Sequence, residues 1–188
     1  MTRFVGIDPS SKTGFVAIDQ GGIVLRSKEL TGVGTIDPKR MITLIDEVVA
    51  HVKPGDFICI EGFPFDTQKA MFAGGLHHGI RNELFKRNLK YYEVAPNAVK
   101  KFVNVTGWVG EPGSKRRLKD KEKKQVVMAA VKDHFGFEHR SDNVVDAYIL
   151  AQIAWSITNG LTQKPYQLEV VNAILNPVTK AKKKAKAK

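Results

Sequence analysis

Cysteine is nearly absent from this chain: among 188 residues there is one, Cys59, inside an apolar run. A disulfide framework within one chain is therefore excluded, and a reducing compartment is expected. The chain also lacks a signal-peptide pattern and any apolar run near ~18 residues, the length that spans a bilayer. These absences predict a cytoplasmic protein with no membrane partner. No group of Cys and His residues has the spacing of zinc ligands, which argues against a zinc site.

Acidic residues are outnumbered by basic ones, 19 to 30, which gives a formal net charge of +11. Residues 100–124 hold nine Lys or Arg against three acids. Such a patch suits a polyanion such as nucleic acid, with surplus lysine for solubility as the alternative interpretation. Six of the positive charges lie in the tail, which leaves about +5 on the body: Lys180, Lys182, Lys183, Lys184, Lys186 and Lys188.

The composition and length predict one folded domain. An apolar share of 43% and a charged share of 26% exclude disorder throughout. A chain of 188 residues is long enough for one well-buried domain and short for two. We assign the domain to residues 1–160, an extension to 161–178 and a disordered Lys/Ala tail to 179–188.

Apolar runs and turn signals predict five strands, over 3–8, 15–18, 23–25, 57–61 and 91–95. Short turns make the first three an antiparallel meander. Helical spacing predicts a helix that begins at Asp37-Pro38, with Asp37 as its N-cap, and further helices over 68–88, 97–105, 119–135, 142–158 and 168–175. Residues 107–113 are expected to form a glycine-bearing loop. This order predicts an α/β fold, a mixed five-stranded sheet with helices on both faces.

Four acidic residues lie where the most apolar segments begin or end. Asp8 and Glu61 each close a strand, while Asp142 and Asp146 open an apolar helix. The two strands are apolar throughout, which predicts adjacent central positions in the sheet. Asp142 and Asp146, four residues apart, share one helix face. Singly, each acid has a simpler explanation as a turn residue, strand exit or helix cap, so the functional interpretation depends on all four together.

Converging carboxylates repel each other, and a bound divalent cation is the usual remedy. Oxygen-only ligands favour Mg²⁺, with Mn²⁺ as a substitute. An acidic cluster inside a basic chain predicts a metal-dependent nuclease, in which two Mg²⁺ ions activate water and stabilise the leaving oxygen of a phosphodiester. Asp8, at the end of a central strand, is the expected bridging ligand. The histidines are interpreted as surface or DNA-facing residues: His77, His78, His134 and His139.

Short motifs along residues 1–158 resemble one known family. Gly6-Ile7-Asp8-Pro9-Ser10, Ile60-Glu61 and Asp146-Ala147 match acidic motifs that a whole superfamily shares. The more specific block covers residues 95–101, 105–107 and 123–126 and looks like Pro-x-x-Val-Lys, Thr-Gly and Lys-x-Gln-Val elements. The chain thus resembles the RuvC Holliday junction resolvases of the ribonuclease H-like superfamily, as a phage-like member. The resemblance implies a homodimeric crossover junction endodeoxyribonuclease that cuts four-way DNA junctions by paired nicking.

The resemblance implies metal-binding roles for the acids. Asp8, Glu61 and Asp146 stand at the family's ligand positions. The family usually has its penultimate acid three residues before the last, where this chain has Asn143. We therefore take Asp142, on the same helix face, as the fourth ligand and Asn143 as the alternative, neutral one.

The resemblance also implies DNA-contacting residues. Lys123 stands where the family has a catalytic lysine near the scissile phosphate, and Lys100 matches a second DNA-contacting lysine. Phe63 or Phe65 stands near an aromatic that stacks on bases. The family's dimer helix corresponds to residues 70–85, whose glycines cost stability unless something packs closely against them; a helix lying on its own sheet is the alternative. The basic patch supplies the remaining predicted phosphate contacts: Lys101, Lys115, Arg116, Arg117 and Lys119.

Three other functions stay open at this point. An actin-like ATPase also has a strand-Asp-turn phosphate loop, although its fold needs two lobes. A branched-DNA binding protein without catalysis needs only the basic patch, but gains nothing from acids beside phosphates. A ribonuclease H-like nuclease on RNA–DNA hybrids or flaps would share the same acids. None of these interpretations, the ATPase aside, calls for a small-molecule cofactor.

Overall fold

A computed structural model describes residues 2–63, 70–111, 113–160 and 164–177. Phe65 and the tail from 179 to 188 lie outside the described residues. The strands are β1 (Phe4–Asp8), β2 (Thr13–Ile18), β3 (Val24–Leu30), β4 (Phe57–Glu61), β5 (Tyr91–Val94), β6 (Trp108–Val109) and β7 (Arg116–Arg117). The helices are α1 (Lys39–His51), α2 (Ala70–Lys86), α3 (Pro96–Phe102), α4 (Asp120–Phe135), α5 (Asp142–Asn159) and α6 (Pro165–Leu175).

Five of the strands form one mixed sheet in the order β3-β2-β1-β4-β5. The first three are an antiparallel meander, while β4 runs parallel to both β1 and β5. Ile7 of β1 pairs with Ile60 of β4, so Asp8 and Glu61 end two neighbouring parallel strands at the same edge. The predicted mixed five-stranded sheet, and the adjacency of its two acid-terminated strands, are confirmed.

Alternation along the strands sends side chains into two cores. Val5 and Ile7 point to the layer of α1 and α2, whereas Phe4 and Cys59 point to the layer of α3 to α6. Helices therefore cover both faces of the sheet, as predicted. Asp8 is four residues beyond Phe4, and Glu61 two beyond Cys59. The period of two thus turns both carboxylates toward the layer that contains α5.

Two glycines allow α5 to lie directly on the sheet. A Cβ atom on Gly6 would come within 1.9 Å of the Ala147 carbonyl oxygen, and one on Gly14 within 1.9 Å of the Asn143 carbonyl oxygen. Any side chain at either position would push the helix away. This close approach brings the N-terminal part of α5, with Asp146 in its second turn, over the end of β1.

Some element boundaries differ from the prediction. The α1 helix begins at Lys39 with Pro38 as its N-cap, after a cis Asp37-Pro38 peptide bond, so the prediction of Asp37 as the N-cap is wrong. The expected loop over 107–113 contains β6, which pairs with β7 in a small hairpin. The α6 helix begins at Pro165, and its Val170 and Val171 join the same core as α3 and α5. No helix among the described residues has the length and apolar character needed to cross a membrane.

The glycines of α2 are accounted for by packing within the chain. A Cβ on Gly79 would lie 2.2 Å from Ile45 Cδ1, and one on Gly75 would lie 3.1 Å from Met41 Sδ. They therefore make room for α1 and are not themselves a sign of a partner chain. Three fully buried side chains of α2 join the core that α1 shares with the sheet: Leu76, Ile80 and Leu84.

Candidate active site

The four predicted acids meet at one open pocket at the edge of the sheet. Asp8 from β1, Glu61 from β4, and Asp142 and Asp146 from the first turns of α5 all line it. The pocket has a volume of about 620 Å³, and Lys100 and Lys124 are also on its wall. The convergence predicted from the sequence is thus a feature of the fold, because neighbouring strand ends and one helix face deliver the carboxylates to the same place.

Burial and mutual repulsion raise the pKa values of three of these carboxyl groups. Asp8 is 5% exposed, and burial, followed by the charges of Glu61 and Asp146, raises its pKa well above the ordinary value. Burial also raises the pKa of Glu61, although its hydrogen bond with Asp8 and the charge of Lys100 oppose part of that rise. Burial and the Glu61 charge raise the pKa of Asp146 to about 7. The cluster therefore lacks the positive charge that its carboxylates require.

Two lysines supply part of that charge. Lys124 Nζ forms an ion pair with Asp142 Oδ2, and the pKa of Lys124 is raised by this hydrogen bond and by the charges of Asp142, Asp146 and Asp8. The Lys100 ammonium group, which donates to the Pro96 carbonyl at 3.3 Å, opposes the upward pKa shifts of Glu61 and Asp146. Lys100 from α3 and Lys124 from α4 therefore flank the acids.

Lys124 is a site residue that the sequence motif does not indicate. The motif match points to Lys123, whose Nζ lies 4.0 Å from Asp120 Oδ1, beside rather than against the acidic cluster. Lys123 lines an adjacent pocket of about 340 Å³ together with Lys100, Asp142 and Asp146. Neighbouring helical residues point about 100° apart, so the packing of α4 on α5 determines which lysine meets Asp142.

Both candidates for the fourth ligand lie at the pocket. Asp142 is the first residue of α5 and follows the N-cap Ser141, whose hydroxyl donates to Glu29. Asn143 lines the pocket beside Asp142, with its carbonyl against Gly14. Only Asp142 carries a charge, and that charge is paired with Lys124. The assignment of Asp142 rather than Asn143 stays a prediction.

The donor set of this pocket fits a hard divalent cation. All four acids offer carboxylate oxygen, the ligand that Mg²⁺ prefers, and the raised pKa values of Asp8, Glu61 and Asp146 show that a cation there would relieve repulsion. Within the described part of the chain, no three Asp, Glu, His or Cys side chains are arranged to hold a cation as they stand.

The histidines do not behave as one group. His77 is fully buried under Phe63, with ring centroids 5.7 Å apart, so its prediction as a surface residue is wrong. Burial, followed by the Arg81 charge, lowers its pKa to about 4. Neither ring nitrogen has a hydrogen-bond partner within 3.5 Å among the described residues. His78 is exposed, as predicted. The half-buried pair, His134 and His139, interacts with Tyr166 and with the Ser141 amide respectively.

The other predicted DNA-contacting residues differ in their surroundings. Arg116 donates two hydrogen bonds to Glu122, at 2.9 and 3.0 Å, and Lys101 forms an ion pair with Glu169, so both are engaged within the chain. Phe63 is half-buried against α2, where a Cβ on Gly74 would lie 3.6 Å from its ring. The others are exposed around the β6–β7 hairpin and the start of α4: Lys115, Arg117 and Lys119.

Comparisons with known proteins agree with this architecture. No family model matches the chain, and no curated protein matches it. A structure described as Thermus thermophilus RuvC in complex with Holliday junction substrate is 15% identical, with a TM-score of 0.57 over 85% of this chain and 97% of that chain. A second Thermus thermophilus RuvC structure is 18% identical, with a TM-score of 0.54 over 83% of this chain and 95% of that one. At these identities the likeness concerns the fold: the chain has a RuvC-like, ribonuclease H-like fold.

Proposed function

We propose that this protein is a metal-dependent, structure-selective DNA endonuclease that resolves Holliday junctions by paired nicking. The observation that carries the proposal is the convergence of Asp8, Glu61, Asp142 and Asp146 on one open pocket flanked by lysines. The RuvC-like fold, shared with a protein solved on a Holliday junction, supports the choice of substrate. Assignment as a phage-like member rests on the sequence motifs alone.

The electrostatics favour hydrolysis over binding alone. A surface that only binds DNA gains nothing from carboxylates beside phosphates, because each raises the repulsion toward the ligand. Here the acids also carry a cost in the metal-free protein, since burial raises the pKa of Asp8 and of Asp146. Carboxyl groups whose pKa is strongly shifted by burial are typical of catalytic sites.

The pocket would hold Mg²⁺ through Asp8, Glu61, Asp146 and either Asp142 or Asn143, and Mn²⁺ would substitute. When bound, such ions supply an activated water and charge stabilisation at the phosphate and at the leaving 3′-oxygen. The protein's own part is to fix these oxygens on rigid strand ends and one helix face. The close contact of Gly6 with Ala147 fixes the helix against the strand.

The lysines have separate tasks in this proposal. Lys100, near Glu61 and Asp146, and Lys123, on the wall of the adjoining pocket, are positioned to meet the phosphate that is cut. Lys124 neutralises Asp142 until a cation is bound. Exposed Lys115 and Lys119 contact backbone phosphates, which orients the DNA without reading its sequence.

A two-fold homodimer suits a four-way junction, because each of two opposing strands then meets one pocket. The outward face of α2 is the proposed contact. Met71 and Phe85, fourteen residues apart and therefore on one helix face, are 92% and 80% exposed. Sedimentation of Phe85→Glu beside the unmodified protein tests this contact, since a charge at a dimer centre shifts the equilibrium to monomer.

The experiment that tests the function compares DNA substrates of equal length. A synthetic four-way junction, a fork, a linear duplex and an RNA–DNA hybrid are incubated with protein in Mg²⁺ or in EDTA. We expect Mg²⁺-dependent paired nicks in the junction and far slower cleavage of the duplex. Preference for the hybrid or the fork would identify a ribonuclease H-like nuclease on another substrate. Tight junction binding without cleavage in Mg²⁺ or Mn²⁺ would identify a binding protein.

A further inference from the structure

The β6–β7 hairpin forms one wall of a groove next to the acidic pocket, and the proposed function assigns no segment of DNA to this groove. The groove has a volume of about 620 Å³ and is lined by residues of α3, the hairpin and α4. Lys100 lines both the groove and the acidic pocket, so the two adjoin.

Strand alternation gives the hairpin two different faces. Trp108 pairs with Arg117 across the two strands, so both side chains project on the same side, and both line the groove. The other pair, Val109 and Arg116, projects on the opposite side. An aromatic ring and a guanidinium group therefore stand together at the groove wall.

The hairpin is held in place by bonds that leave its groove face open. Glu122 of α4 accepts two hydrogen bonds from Arg116 and one from the Lys119 amide at 2.9 Å. The Leu118 amide donates to the Gly107 carbonyl at 2.9 Å, and Leu118 is buried. A rigidly supported hairpin with an exposed aromatic side chain is expected of a binding surface, because little conformational entropy is lost when a ligand binds to it.

Trp108 itself is 57% exposed, although tryptophan is among the residues most stabilised by burial. The groove around it is cationic: Lys100, Lys101, Arg117 and Lys123 line it, and no carboxylate of the described residues does. Lys101 is paired with Glu169, whereas Arg117 has no ion pair with any described residue. An aromatic ring inside a cationic groove matches a single nucleic-acid strand, whose phosphates meet the charges while a base stacks on the ring.

We propose that this groove, the Trp108 groove, binds an unpaired segment of DNA next to the cleaved phosphate, with a base stacked on Trp108. The inference rests on the proposed function, because it places the groove on the path of the strand that the acidic pocket cuts. Fully paired duplex keeps its bases inside the stack, so the groove favours DNA that is open or frayed at a branch point.

The test reports on Trp108 directly. The chain has two tryptophans, and the other, Trp155, donates to the Gln20 carbonyl at 2.9 Å away from the groove, so Trp155→Phe leaves Trp108 as the sole tryptophan fluorophore. Its emission is titrated in EDTA, where no cleavage occurs, with a four-way junction, a single-stranded oligonucleotide and a blunt duplex. We expect saturable quenching by the junction and the single strand, and little by the duplex.

Affinity measurements on matched variants complete the test. Trp108→Ala is expected to bind the junction about 5-fold to 100-fold more weakly than the protein with Trp108, while Trp108→Phe retains most of the affinity because it keeps a stacking surface. Circular dichroism melts check that the variants fold. Equal quenching by duplex, no quenching by any DNA, or unchanged affinity in Trp108→Ala would overturn the proposal.

The outcome also separates this proposal from the proposed function. Junction cleavage with an unquenched Trp108 contradicts the Trp108 groove and leaves the nuclease proposal intact. Quenching of Trp108 by single strands in a protein that cuts no DNA in Mg²⁺ or Mn²⁺ supports the groove and contradicts the nuclease.

Discussion

Asp146→Asn is expected to stabilise the metal-free protein while it removes activity. Burial and the Glu61 charge raise the pKa of Asp146 from 3.8 to about 7 in the folded state. An acid whose pKa is higher when folded contributes stability that is fully present below the unfolded pKa and is lost as the pH rises through the folded one. The loss for Asp146 therefore develops between pH 3.8 and about 7.

The size of the expected change in the free energy of unfolding follows from these two pKa values. At pH 8 the ionised Asp146 costs the folded state up to ~4 kcal/mol, and at pH 5 only ~1.5 kcal/mol, because most of the folded protein then holds the proton. Asparagine is neutral at both pH values and has nearly the same side-chain shape as aspartate. Since part of the shift comes from the Glu61 charge, which can itself change, we expect a gain of roughly 2–4 kcal/mol at pH 8, or about 5–15 °C in melting temperature.

Thermal melts in EDTA at pH 5 and pH 8 measure this gain, with Asp46→Asn, at an exposed position of α1, as the matched control. The control should change stability by no more than about 0.5 kcal/mol at either pH. Mg²⁺ should then stabilise the unmodified protein more than Asp146→Asn, because the variant has one carboxylate ligand fewer. A destabilised Asp146→Asn protein at pH 8 in EDTA would refute the reasoning, since it would mean that the carboxylate is favourable where it stands.

Three further predictions concern neighbouring residues. Asp142→Asn should lower single-turnover cleavage far more than Asn143→Ala, because an amide binds a hard cation more weakly than a carboxylate; the reverse ranking would make Asn143 the ligand. Lys124→Gln should increase the Mg²⁺-dependent rise in melting temperature, because Asp142 is no longer neutralised from within the chain; an unchanged Mg²⁺ response would mean that the ion pair does not compete with metal. Lys123→Ala should lower turnover at saturating protein and leave DNA affinity nearly unchanged. Removal of residues 180–188 should instead weaken binding to all DNAs. It should reduce the slope of log affinity against log salt concentration by at most about 0.9 for each phosphate that the tail neutralises. Loss of affinity alone in Lys123→Ala would move that residue to the backbone contacts.

The central part of the fold could be predicted because its signals are local and strong. Strands β1 and β4 are continuous apolar runs that end in an acid, and such runs belong in the middle of a sheet that is covered on both faces. The β6–β7 hairpin could not be predicted, because each of its strands has two residues, all exposed, and it is held by Arg116–Glu122 rather than by an apolar pattern.

The α2 helix shows a second limit of prediction from the sequence. Its glycines are compatible with a close contact to any helix, and only the tertiary arrangement reveals that Gly79 faces Ile45 of the same chain. His77 is similar, because a histidine at that position in the sequence carries no sign of full burial. In both cases the contact depends on which elements pack together in the folded chain, and the sequence does not show which elements those are.

The acids of the candidate site and Lys100 could be predicted, while Lys124 could not. Asp8 and Glu61 lie at the ends of strands, and Asp146 lies on a helix face that follows from helix periodicity. Both kinds of pattern can be recognised in the sequence. The choice between Lys123 and Lys124 depends on the rotation of α4 against α5, which no local pattern encodes. The raised pKa values of Asp8 and Asp146 result mainly from burial, which exists only after folding.

The central claim is that the carboxylate cluster performs phosphodiester hydrolysis, and Asp8→Asn tests it most directly. The variant and the unmodified protein are compared on one four-way junction, with cleavage in Mg²⁺ and binding in EDTA measured side by side. We predict that Asp8→Asn abolishes Mg²⁺-dependent cleavage while its junction affinity stays equal or increases, because one negative charge facing the phosphate is removed. Cleavage by Asp8→Asn at a rate close to that of the unmodified protein would contradict the account.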